Sequence, residues 1–292
     1  MLLSKIRKHG ISGILRISLR LLKTALVEIS CGARVQDKLA LAIRWLLMPF
    51  YILLYGKYPY GEFYPFNVIL KTPYGLFYCK RGVGDVYAIL YDNTPLGKGF
   101  KLDIGYLRLD DGVFIDVGAN LGKYTIAVAR ELGNKGMVVA IEPNPDVYER
   151  LLLNIKLNRL TNVIPLNVAA DSQNRKVHLF VDPVYHGSSS LLTREKGLPF
   201  IEVTAKRLDD IISELGIYSG IRLVKIDVEG WEAEVLKGMR EILRSCRPKI
   251  IFEAWDESHL RDVEEELKEF GYEIRPIAEF NYLALPKQDF NL

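Results

Sequence analysis

Two kinds of apolar pattern divide this chain. Residues 11–29 (ISGILRISLRLLKTALVEI) repeat at helical spacing, with Leu15, Leu19, Leu22, Leu26 and Ile29 on one stripe and Arg16, Arg20 and Lys23 on another. A second apolar run, LALAIRWLLMPFYILLY at 39–55, has Arg44 near its middle and contains Pro49. It is barely long enough to span a bilayer, and a central Arg is costly there. Residues 56–66 are rich in Pro, Gly and Tyr and read as a connector, and VILKTPYGLFYCK reads as a hairpin turning at Pro73–Gly75.

From about residue 107 the pattern changes to short continuous apolar runs, each followed by an amphipathic stretch. VFIDV leads into LGKYTIAVARELG, and MVVAIEP into NPDVYERLLLNIKLNRL; VIPLNVAA reads as a third strand. RLVKIDVEG then leads into WEAEVLKGMREILRS, and KIIFEAWDE into HLRDVEEELKEFG. Uninterrupted apolar strands are expected where helices cover both faces of a parallel sheet. The last pair, YEIRPI and YLALPK, is joined by only Ala-Glu-Phe-Asn. That link is too short for a parallel crossover, so the sheet must end in an antiparallel hairpin.

The strand ends carry the chemistry. After the first, Asp116, Gly118, Asn120 and Gly122 form a D-x-G-x-N-x-G turn. A dinucleotide site wants G-x-G-x-x-G, which brings a helix N-terminus onto a pyrophosphate. An acid before the turn is wrong for phosphate and right for a ligand with an ammonium group. The second strand ends at Glu142, about 20 residues past the glycine turn, where an acid accepts hydrogen bonds from ribose hydroxyls. Together these ends describe a nucleoside with an amino-acid-like tail and no phosphates, and S-adenosylmethionine meets that description. The fourth strand ends in Lys225-Ile-Asp227-Val-Glu229-Gly-Trp231, whose two acids, at i and i+2, share one side.

DVGANLG, EPNP, GSSSL at 187–191 and KIDVEGWEAEVLKG together resemble the FkbM-type family of S-adenosylmethionine-dependent methyltransferases, over roughly residues 105–285. The resemblance implies a class I, Rossmann-like three-layer sandwich with a mostly parallel seven-stranded sheet, and methyl transfer to a hydroxyl of a sugar or natural-product scaffold. It further implies that Asp116, Gly118, Asn120 and Gly122 cradle the methionine end and Glu142 holds the ribose. Asn144 and the segment with Asn167, Ala169 and Asp171 would flank the adenine, and Asp227 and Glu229 would face substrate or the methionine ammonium. Candidate bases for the acceptor hydroxyl are His186, Asp227, Glu229 and Glu253. His186 sits in a polar loop between two strand-like segments, where a solvated histidine is the plainer reading. Glu253 could instead cap the helix starting near Asp256. Asp227 and Glu229 could bind a divalent cation, but the sequence offers no evident second acidic pair, so a metal is the minority reading and none is assigned.

This organisation predicts a basic helical segment at 1–60, a connector and hairpin at 61–105 and a methyltransferase domain at 106–292. Residues 1–60 contain ten Lys/Arg and two acids, net +8, while the remainder nets −5. The segment then suits either an anionic membrane surface or a helical cap on the main domain with its basic residues solvated. Three scattered cysteines and the lack of a secretory signal pattern point to the cytoplasm. Glycans, glycolipids or related small molecules are the expected acceptors. Nucleic acid is disfavoured by the acidic body and by IDVE at the strand end where base-modifying enzymes carry an N/D-P-P-Y/F tetrapeptide. An NAD-dependent oxidoreductase and a non-catalytic membrane-associated module are the alternatives.

Overall fold

A computed structural model describes residues 21–55, 65–90, 106–182, 190–191 and 199–287. The chain separates into two units, Met1–Phe100 and Lys101–Leu292.

In the first unit residues 21–30 are helical and are followed by helix α1 (Val35–Tyr55). Asp37 starts α1 by accepting from the Arg34 backbone N–H at 2.9 Å and from its guanidinium at 2.8 Å, as in a capping box. Strands β1 (Val68–Lys71) and β2 (Leu76–Cys79) form the expected hairpin, whose turn is held by Thr72. The segment between the two helices pairs with β1: Ala33 N–H donates to Ile69 and Lys71 N–H to Cys31. Arg44 is not solvated. It is 2% exposed and donates to both carboxylate oxygens of Glu28, at 2.8 and 2.9 Å, while the Trp45 indole donates to the same carboxylate. Helix α2 (Asp85–Leu90) follows the hairpin.

The second unit is a seven-stranded sheet built from β3 (Gly112–Val117), β4 (Gly136–Ile141), β5 (Val163–Leu166), β9 (Ile221–Ile226), β10 (Lys249–Glu253), β11 (Tyr272–Pro276) and β12 (Asn281–Pro286). Its order is β11-β12-β10-β9-β3-β4-β5, with β12 antiparallel to both neighbours and the other pairings parallel. This is the class I methyltransferase arrangement, with the terminal hairpin where its short link required it. Alternation along β3 and β9 sends Ile115, Val117, Val224 and Ile226 to one face, into the large core cluster. That cluster is completed from helices α5 (Leu208–Glu214), α6 (Glu232–Lys237), α7 (Arg240–Ser245) and α8 (Glu257–Lys268). Helices α3 (Lys123–Leu132) and α4 (Pro145–Leu157) follow β3 and β4, and α4 packs Leu151 and Ile155 against Ala140 on the opposite face.

The stretch 163–170 is not one strand. β5 stops at Leu166, and Ala169–Ala170 (β6) joins a separate sheet with β8 (Phe200–Lys206) and β7 (Arg175–Phe180). The break falls at Asn167, whose side-chain amide donates to the Glu142 and Pro143 carbonyls at 2.8 and 3.0 Å and ties the turn down. β7 and β8 are the two strand-like segments flanking the polar loop, and they pair antiparallel.

Candidate active site

The chain runs from β3 outward to β4 and β5, then returns to lay β9 on the other side of β3, so the β3/β9 seam is the topological switch point. A pocket opens at the carboxyl ends of these strands. Its wall includes Gly118, Asn120, Glu142, Ala169, Ser190, Asp227 and Glu229.

Gly118 has φ +81, and a Cβ there would stand 1.9 Å from the Asp227 carbonyl oxygen. Only glycine lets the β3 turn and the β9 end approach this closely. Asn120 takes the left-handed conformation at φ 50 and donates its backbone N–H to Glu142 Oε2 at 2.9 Å. Glu142 Oε1 accepts from the Asn144 N–H, also at 2.9 Å, so one carboxylate links two strand ends. Burial pushes the Glu142 carboxyl up to about 7 against the pull of those two donors and of Arg150.

Asp116, expected in the cradle, lies elsewhere. It is fully buried and outside the pocket lining, accepts a 2.6 Å hydrogen bond from Thr125 Oγ1, and stands in register with Lys225 on β9. Its Oδ1 has no hydrogen-bond partner among the described residues, and burial raises its carboxyl while Lys225 opposes the rise. Gly122 is also outside the lining: its missing Cβ makes room for Leu151 of α4, at 2.6 Å. Asn144 caps α4 through Asp146 N–H. Asp171 is buried between Arg175, Ser172 and the Trp231 indole. Of the residues expected around adenine, Ala169 lines the pocket and Asn144, Asn167 and Asp171 lie outside its lining.

The carboxylates of Asp227 and Glu229, which line the pocket, and of Glu253, which lies outside the lining, are within 4.8 Å of one another. The partner missed for the Asp227/Glu229 pair is therefore Glu253, on the neighbouring strand. Carboxylates at this spacing can hold a divalent cation. A resident cation is already present: Lys225 Nζ is 2.7 Å from Asp227 Oδ2 and 4.4 Å from the centre of the Tyr124 ring. Burial works against the Lys225 charge, but Asp227, Asp116 and Glu253 outweigh it and keep the ammonium protonated. Burial and the charge of Asp227 raise Glu253 to about 7, and the Trp255 indole opposes this by donating to it. Glu253 does not cap α8; Asp256 does, accepting from His259 N–H at 2.9 Å.

Two groups that sequence reasoning passed over hold the 228–231 loop. Glu232, fully buried, accepts from Val228 N–H at 3.0 Å and pairs with His259 Nε2 at 2.6 Å. Ser190, from the GSSSL stretch, donates to the Glu229 carbonyl at 2.7 Å and pairs with Phe180. His186 lies outside the described residues.

Among the described residues, the lining has three carboxyl side chains and no basic one. Such a pocket attracts a cationic sulfonium ligand bearing an ammonium and a diol, and it repels a pyrophosphate. S-adenosylmethionine fits it and NAD does not. Residues 116–274, more than half of the chain, match the Methyltransferase FkbM domain. The chain is 29% identical over 212 residues to Methyltransferase sdnD of Sordaria araneosa, covering 60% of this chain and 81% of that one. It is 32% identical over 142 residues to Hexuronic acid methyltransferase AglP of Haloferax volcanii, covering 49% of this chain and 56% of that one. The solved structure of Methyltransferase FkbM from Methylobacillus flagellatus aligns over 91% of this chain and 59% of its own, with 17% identity and a TM-score of 0.46. The chain belongs to the FkbM family of S-adenosylmethionine-dependent methyltransferases.

Proposed function

We propose that this methyltransferase acts on a hydroxyl oxygen of a glycan, glycolipid or related polyhydroxylated small molecule. The observation that carries the reading is the Asp227, Glu229 and Glu253 group beside the cofactor pocket. A hydroxyl must lose its proton as it attacks, and a base with a pKa near the working pH is best suited to take it. Glu253, at about 7, is that base. Asp227, held by Lys225, fixes the neighbouring acceptor group, and three convergent carboxyl groups offer the hydrogen-bond acceptors that sugar hydroxyls seek. Likeness to a hexuronic acid methyltransferase across 49% of the chain supports a sugar acceptor.

When bound, S-adenosylmethionine supplies an electrophilic methyl group for in-line displacement. Glu142 would hold its ribose hydroxyls, the 118–120 turn its amino-acid end, and the carboxyl-lined wall its positive charge. The remaining work is alignment of the acceptor oxygen with that methyl, which by itself can supply most of the rate enhancement.

Glu253→Gln separates these roles. It is expected to lower turnover by about 10²–10⁴-fold while leaving S-adenosylhomocysteine affinity within a few-fold of the parent. The measurement uses isotopically labelled methyl donor with fractionated sugars and lipid-linked glycans, and the product linkage is read by mass spectrometry and NMR. Methyl transfer to nitrogen or carbon, or full turnover by the variant, would refute the assignment.

A further inference from the structure

Helix α1 is built inside out. Its buried positions are Asp37, Ala40, Leu41, Arg44 and Met48, so two of its three charged residues face inward. Its outward face presents Leu39, Leu46, Phe50, Leu53 and Leu54, between 56% and 83% exposed. A surface helix of a water-soluble domain normally has the opposite arrangement. The inward charges are matched, Asp37 by Arg34 and Arg44 by Glu28, so nothing polar needs to turn outward. From Leu39 to Leu53 the stripe runs about 20 Å along the axis. The preceding helical residues add exposed Leu22 and Leu26, with exposed Lys23 beside them, and Arg34 and Lys38 are exposed at the start of α1.

We propose that this face docks on the surface of an anionic bilayer, with α1 lying in the plane of the interface, its apolar stripe in the headgroup–acyl boundary and the basic residues at the lipid phosphates. The occupant must be apolar at depth and anionic at its rim, which describes a lipid leaflet. A second copy of the chain would set one +8 segment against another. Spanning fits less well, although α1 has the length and a mean hydropathy of 1.5. Its inward side carries the Glu28–Arg44 pair, and the chain leading into it is tied by backbone hydrogen bonds to β1, so a spanning pose would carry a charged pair and strand-edge backbone toward hydrocarbon. The proposal goes beyond the methyl-transfer reading and stands independently of it.

Flotation of the full chain with vesicles tests it. Binding to phosphatidylcholine vesicles doped with phosphatidylglycerol is expected to exceed binding to phosphatidylcholine alone by at least about tenfold. The triple change Leu46→Glu, Phe50→Glu and Leu53→Glu is expected to weaken it by about a hundredfold or more, with S-adenosylhomocysteine affinity retained. Lys23→Glu with Lys38→Glu is expected to remove the preference for the anionic lipid. Should the triple variant fail to fold, Phe50→Trp gives a second readout: brominated lipid is expected to quench emission beyond the parent's. Equal flotation of parent and triple variant, absence of binding to the anionic vesicles, or no added quenching at Trp in place of Phe50 would overturn the proposal. So would conversion by the triple variant of a dimer to a monomer, measured by light scattering, with flotation unchanged.

Discussion

At the scale of single residues, the pocket depends on backbone contacts more than on side chains reaching for a ligand. Gly118→Ala puts a methyl 1.9 Å from the Asp227 carbonyl at a φ of +81, so either the β3 turn or the β9 end must move. Strain and displacement together should cost about 2–4 kcal/mol in denaturant unfolding and abolish calorimetric binding of S-adenosylhomocysteine. Lys225→Met removes a buried cation that stands beside the fully buried Asp116 and the half-buried Asp227. Loss of about 3–5 kcal/mol is expected, more than for a same-size change on an exposed helix face. The apolar strand runs made the acids legible, because they put Glu142, Asp227 and Glu229 at strand ends; alternation does not carry the Asp227/Glu229 pair, since β9 stops at Ile226 and Glu229 takes a φ of 58. The runs could not show that Asp116 faces α3 and meets Thr125, since that depends on which sheet face each helix covers. Lys225 left a trace that went unread: a cation between the apolar residues Val224 and Ile226 of β9, next to a strand with a lone acid.

At the scale of elements, continuous apolar runs and the four-residue link predicted the sheet and its reversed edge because both follow from local constraints. The divided third strand did not follow, since Val168 to Ala170 looks as apolar as β5. Leaving the sheet there is set by the side-chain bonds of Asn167 to a strand distant in sequence. The same limit applies to α1, whose apolar run was plain while the direction of its apolar face was not. The Glu28–Arg44 pair decides that direction, and Glu28→Gln tests it. The change leaves the Arg44 guanidinium buried without its counter-ion and should lower the stability of the first unit by about 3 kcal/mol. Hydrogen exchange in residues 21–55 should rise, while S-adenosylhomocysteine binding stays at the parent value. Unchanged protection there would mean that the pair does not hold the helices together.

At the scale of the whole molecule, the titrating groups in and around the pocket act in one direction. Glu142 and Glu253 rise from 4.5 to about 7, and His259 rises above 6.5 through its bond to Glu232. Each group binds its proton more tightly folded than unfolded. The stability each contributes is therefore complete below its unfolded pKa and disappears as pH climbs through the folded value. Asp37 and Glu234 are lowered and act oppositely, losing their contribution only on acidification below their ordinary range. The ligand-free protein should thus be most stable near pH 5 and lose a few kcal/mol by about pH 8. Ligand binding inverts the slope. A sulfonium ligand with an ammonium group favours the ionised carboxylates, so its binding must release protons and tighten as pH rises through about 7. S-adenosylhomocysteine, lacking the sulfonium charge, should show a shallower dependence. Thermal unfolding from about pH 5 to 9, alone and with each ligand, reads both slopes, and calorimetry in buffers of different ionisation enthalpy counts the protons released. Glu142→Gln should flatten the ligand-free curve and remove part of the proton release. A ligand-free melting temperature that rises from pH 5 to 8 would show that these carboxyls are ionised throughout, and that the pocket pays for its charge in some other way.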